Sequence, residues 1–133
     1  MADERREVAD HLVSGARADL AAARELEAIE DPRDNVLGFH AEQAVEKSLK
    51  AALVLAGEEA PATHNLVELV DRLRDAGVEP PPAVDRVAAA LTPWGVLFSD
   101  NEGEHDLDRD AALEAATEAV AFAQESPAKR RVD

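Results

Sequence analysis

His40, Gln43, Lys47 and Lys50 follow one another at helical spacing: an imidazole, an amide and two ammonium groups on one half of a single helix. Those groups could hold the phosphate of a small nucleotide, line a pocket, or meet a second copy of the chain. The plainer alternative is a solvated helix face. Glu42, Glu46 and Lys50 are spaced by four, as are Gln43 and Lys47, and Glu46 before Lys50 is the favourable acid-before-base order. Such pairs contribute only about 0.2–0.5 kcal/mol each, with the lysine stems lying along apolar neighbours.

Other chemistry is thin. The chain has no cysteine, which excludes disulfides, thiol catalysis and thiolate metal sites. It contains no phosphate-cradling glycine loop, zinc-ligand spacing or nucleophile elbow. Asp100, Glu102, Glu104, Asp106 and Asp108 are rich in oxygen ligands but lack the alternation and distal glutamate of a calcium loop. No metal and no cofactor is expected. Trp94 and Phe98, four apart, read as core or dimer interface rather than a base-stacking platform.

Length and charge narrow the class. One domain is expected from 133 residues, over 1–126, followed by a disordered basic tail, 127–133, that carries Lys129-Arg130-Arg131. The net charge of −15 disfavours strong non-specific nucleic-acid binding. No window approaches the length of apolar residues that a membrane helix needs, so a cytoplasmic protein with no membrane partner is expected.

The elements that must position these residues are helices. Alanine, leucine, glutamate and arginine dominate, aromatics make up 3%, and no strand-like alternation or internal repeat occurs. Val8, Leu12, Ala16, Leu20, Ala23 and Leu26 predict a first helix over 4–29. Asp31 and Pro32 can open a second that ends at Ala56, with Gly57 as its stop. Its core side is Leu37, Ala41, Val45, Ser48, Leu49, Ala52 and Leu55, and its other half is the polar set described above. Asn65, with Glu68 three places on, predicts a capping box and a third helix from Leu66 to Ala76, ended by Gly77. After Pro80-Pro81-Pro82 a fourth begins near Ala83, and Pro93 should kink or divide it. The last runs from Asp108 to Gln124. Four or five amphipathic helices imply an all-α up-and-down bundle.

Read as a string, Gly38-Phe39-His40-Ala41-Glu42-Gln43-Ala44-Val45-Glu46-Lys47-Ser48-Leu49-Lys50-Ala51, followed by Thr63-His64-Asn65-Leu66, resembles the signature of HEPN domains. Ala16 to Ala23 resembles that family's first helix, so the likeness runs from about Ala16 to Ala123. It marks Phe39, Glu46 and His64 as structural family positions, His64 as an imidazole hydrogen-bonded at a helix start. It implies a helical bundle, often a homodimer, paired with a minimal nucleotidyltransferase in prokaryotic toxin–antitoxin modules. It also implies metal-independent RNA cleavage by active members through an Arg-x(4–6)-His motif. Arginine would stabilise phosphorane-like charge there while histidine moves the proton of the attacking hydroxyl.

Two places in the chain bear on that motif. At the family's junction before the last helix, Ser99 stands where the resemblance puts arginine, and His105 follows at the right spacing. Serine carries no permanent charge and the adjacent Asp100 repels phosphate, so the motif reads as degenerate. Arg33 and His40, with six residues between, match the pattern elsewhere, at the start of the second helix. The expectation is a binding and regulatory HEPN protein with a nucleotidyltransferase partner. Its rivals are an RNase toxin that uses His105 or the Arg33/His40 pair, acting on RNA, and a nucleotide-binding module that uses His40, Gln43, Lys47 and Lys50.

Overall fold

The computed structural model describes residues 2–29, 34–96 and 107–125, and it is an all-helical bundle. Five helices occur in the order α1 (Ala2–Ala28), α2 (Asp34–Leu55), α3 (Leu66–Asp75), α4 (Pro82–Leu91) and α5 (Arg109–Gln124). A one-turn 3-10 helix, Thr92–Gly95, extends α4, and no strand occurs among the described residues. Asp31, Pro32, Phe98, Asp100 and the 127–133 tail lie outside them, as do Arg33, Ser99 and His105.

Local chemistry sets the ends. Gly57 and Gly77 have φ of 97° and 82°, in the left-handed region that a side chain disfavours. Each closes its helix with a Schellman pair: Glu58 N–H to the Leu53 carbonyl at 2.9 Å and Gly57 to Val54 at 3.1 Å, then Val78 to Leu73 and Gly77 to Arg74, both at 2.9 Å. Asn65 caps α3 by accepting from Val67 N–H at 2.9 Å. The glutamate of the expected capping box instead faces Arg72 at 3.2 Å. Asp108 caps α5 by accepting from Ala111 N–H at 3.0 Å.

Pro93 divides α4 as its missing N–H demands, and the chain tightens into the 3-10 turn. Thr92 ties this corner together. Its hydroxyl donates to the Ala88 carbonyl at 2.7 Å and accepts from Leu66 N–H at 3.1 Å, which satisfies one of the donors left over at the start of α3.

The core cluster runs through every helix, with Leu20 from α1, Leu49 and Leu53 from α2, Leu69 and Leu73 from α3, Val84 and Leu91 from α4, and Val120 and Phe122 from α5. α2 is its axis. It packs against α1, α5, α3 and the 3-10 turn, and thirteen of its 22 residues are buried. Burial on so many sides overturns the solvated-face reading of its polar half: Glu42 and Glu46 are 0% and 5% exposed. The apolar stripe alone suggested a two-sided helix, but two-sidedness holds only for a helix at the edge of a bundle.

Ser48, on the expected core side, is fully buried, and its hydroxyl has no hydrogen-bond partner among the described residues. Ser48→Ala removes that uncompensated group with little loss of volume. It is expected to raise the free energy of unfolding by about 1 kcal/mol in urea titration.

Candidate functional site

Three carboxylates organise the polar side of α2. Asp19, from the middle of α1, is 8% exposed and accepts from two directions: His40 Nδ1–H at 2.9 Å and Lys47 Nζ at 2.6 Å. Glu46 receives Lys50 Nζ at 3.2 Å and His64 Nδ1–H at 3.1 Å. Glu42 accepts from Gln43 Nε2 at 2.8 Å on Oε1, while its Oε2 is buried with no hydrogen-bond partner among the described residues.

His40, Gln43, Lys47 and Lys50 therefore do share one region, and each is turned toward a carboxylate. The expected Glu46–Lys50 pair forms, but its side chains are only 6% and 12% exposed, so it is no surface pair. His64 sits at the start of α3 as expected and is hydrogen-bonded, though to α2 rather than to its own helix, and its side chain is 79% exposed. Phe39 lies edge-on to the His40 ring with centroids 5.3 Å apart.

Asp19 is the residue that sequence reasoning missed. Its signal was a lone acid on the stripe of Ala16, Leu20 and Ala23, where a charge survives only if something reaches it. Gly15, one turn before, leaves room for the Lys47 stem: a side-chain carbon there would stand 3.2 Å from Lys47 Cδ.

Geometry fixes what these groups can do. A carboxylate on Nδ1 holds each imidazole in the tautomer whose Nε2 carries the lone pair, the arrangement in which histidine accepts a proton. Asp19–His40 and Glu46–His64 are both carboxylate-oriented imidazoles of this kind. Lys47 and Lys50 are neutralised within the fold, so the site offers little net positive charge to a phosphate. Among the described residues no group of three or more histidines and carboxylates is placed to hold a metal ion.

The HEPN domain model matches residues 9–125. The chain belongs to the HEPN domain family. No curated protein and no solved structure matches it. Phe39, Glu46 and His64 lie within the matched range, and Glu46 joins α2 to the start of α3. No described helix of this HEPN chain is long and apolar enough to cross a membrane. Ser99, His105 and Arg33, three of the four positions with a bearing on RNA cleavage, fall outside the described residues, and His40 is the fourth.

Burial pushes the Glu42 carboxyl up to about 8 from 4.5, reinforced by the negative charge of Glu46 and opposed by the Gln43 amide that donates to it. A carboxyl raised in the folded state contributes stability that is complete below its unfolded value and is lost as pH rises through its folded value. Wild type should therefore lose stability relative to Glu42→Gln between pH 5 and 8, by up to roughly 1.4 kcal/mol per pH unit. Paired denaturant titrations at pH 5 and pH 8 measure that gap, and an equal gap at both would count against a buried neutral carboxyl.

Asp19→Ala strands the Lys47 ammonium and leaves His40 Nδ1–H without its acceptor, and is expected to cost about 1–3 kcal/mol. Lys47→Met, which leaves Asp19 holding His40, should cost less in the same measurement.

Proposed function

We propose that this HEPN protein is a binding and regulatory module of a toxin–antitoxin-like pair. It forms a homodimer in the cytoplasm, its partner is a minimal nucleotidyltransferase, and its own RNase motif is degenerate. The carrying observation is that the donors of α2 are taken: His40, Lys47 and Lys50 are each committed to Asp19 or Glu46. Phosphoryl chemistry needs uncommitted positive charge where the transition state gathers negative charge. The family's source of that charge is an arginine, and Ser99 stands at its place. A net charge of −15 further opposes RNA and favours a partner with basic surface. The dimer and the nucleotidyltransferase partner rest on the family's habit.

Light scattering of the purified chain should give twice the monomer mass, and co-expression should recover a complex with the nucleotidyltransferase encoded beside it. A monomer that fails to bind that enzyme would remove the support for this reading. Cellular RNA incubated with the chain in EDTA should remain intact; metal-independent cleavage abolished by His105→Ala or Arg33→Ala would establish the RNase toxin instead.

The small-nucleotide reading meets the same obstacle, since a phosphate would have to displace Asp19 or Glu46 from the lysines. ATP should leave the melting temperature unchanged, and a rise that Lys47→Ala abolishes would restore that reading.

A further inference from the structure

The Thr92–Gly95 turn sits on α2 at two points, both without a side-chain carbon. One added to Gly38 would lie 2.8 Å from the Trp94 ring, and one added to Gly95 would lie 2.8 Å from Glu42 Cδ and 2.9 Å from its Oε1. The indole thus rests on the backbone of α2 at Gly38, and the backbone of Gly95 rests on the Glu42 carboxyl. A peptide unit lying against a carboxyl shuts water out. Glu42 is 0% exposed, and its Oε2 has no hydrogen-bond partner among the described residues.

We propose that Glu42 is a proton-operated latch: its neutral carboxyl seats the Thr92–Gly95 turn on α2, and loss of that proton lifts the turn away.

Apart from the Gln43 amide, which donates to Oε1 at 2.8 Å, the neighbours of Glu42 leave its charge little relief. On α2, Glu46 lies one turn on and is itself buried, and Lys50 is the nearby cation but already serves Glu46. From the segment before α3, His64 also serves Glu46. From α1, Asp19 is occupied by His40 and Lys47. The charges of α3 and α4 turn outward to one another, Glu68 to Arg72 and Asp85 to Arg74, while Arg86 faces Glu114 of α5. Arg109 of α5 pairs with Asp34 at the start of α2. An ionised Glu42 would be a second negative charge beside Glu46, with no cation to spare and no water.

Solvation is then the remaining relief, and the wall most readily opened is the turn. It is the shortest element packed on α2, and Trp94 and Gly95 are half-buried where the helices on the other sides bring core leucines. Burial and Glu46 place the ionisation near pH 8, within reach of ordinary conditions.

Trp94 is the chain's one tryptophan, so its emission reports on the turn alone. The full chain is titrated from about pH 6 to 9.5, a range spanning the histidine and raised-carboxyl regions, with far-ultraviolet circular dichroism recorded alongside. The expected result is a red shift of emission with a midpoint near pH 8 at constant helix content. Glu42→Gln, a neutral isostere of the protonated acid, should stay blue throughout, and His64→Gln should keep the shift. Gly95→Ala, which drives a carbon into the carboxyl, should be red-shifted at every pH with its helices intact. The latch is overturned by a wild type without the shift, by a shift that survives in Glu42→Gln or vanishes in His64→Gln, by loss of helix along with it, or by a Gly95→Ala that remains blue.

Discussion

A helix surrounded by other helices has to settle every charge it carries inside the protein, and α2 carries Glu42, Glu46, Lys47 and Lys50 across its middle. Desolvating any one of them alone would cost several kcal/mol, comparable with the whole stability of a small domain. Three devices meet that demand in two turns of helix. Asp19 comes across from α1 to Lys47, Lys50 folds back on Glu46, and Glu42 keeps its proton. The packing of α1 on α2 and the attachment of α3 through His64 follow from these pairings as much as from apolar contact. They also hold register, because an α1 displaced by one turn would leave Asp19 in the core without a partner.

What could be read from the sequence is what is decided locally. Gly57, Gly77, Asn65 and Pro93 act within one or two turns through backbone conformation, a spare acceptor or a missing donor, and each acts in the structure where the sequence put it, while Asp108, read as the first residue of the last helix, caps it instead. The family string is a longer statement of the same kind, since it fixes which residues must be adjacent on α2. The solvated-face reading failed because it asked a non-local question of one helix. Periodicity shows which residues share a face, whereas the number of neighbours that cover the helix is settled by α1, α3, α5 and the 3-10 turn together. Asp19 escaped notice for the same reason: its partners are 21 and 28 residues away, and nothing near it in the chain names them.

The site separates two roles that the sequence lets run together. Histidine, lysine and glutamine at helical spacing describe a ligand pocket and an internal network equally well, because both need donors on one face. Burial supports the internal network. Lys50 and Glu46 have side chains 12% and 6% exposed, and a phosphate would have to compete with a carboxylate already held at 3.2 Å. His64 is the exception, with Nδ1 anchored on Glu46 and most of its ring in solvent, so it is the group through which the network meets the outside.

Membership of the HEPN family therefore speaks to the scaffold before it speaks to chemistry. Glu46 and His64 join α2 to the start of α3, which is a matter of closing the bundle. A chain could lose the reactive arginine and keep both, because neutralising buried charge is a condition for folding while cleaving RNA is not. Thr92 and Pro93 illustrate the same separation. They stand just before the stretch from Ser99 to His105 in sequence, yet what they do is bind Leu66 N–H, end α4 and bring Trp94 and Gly95 onto α2.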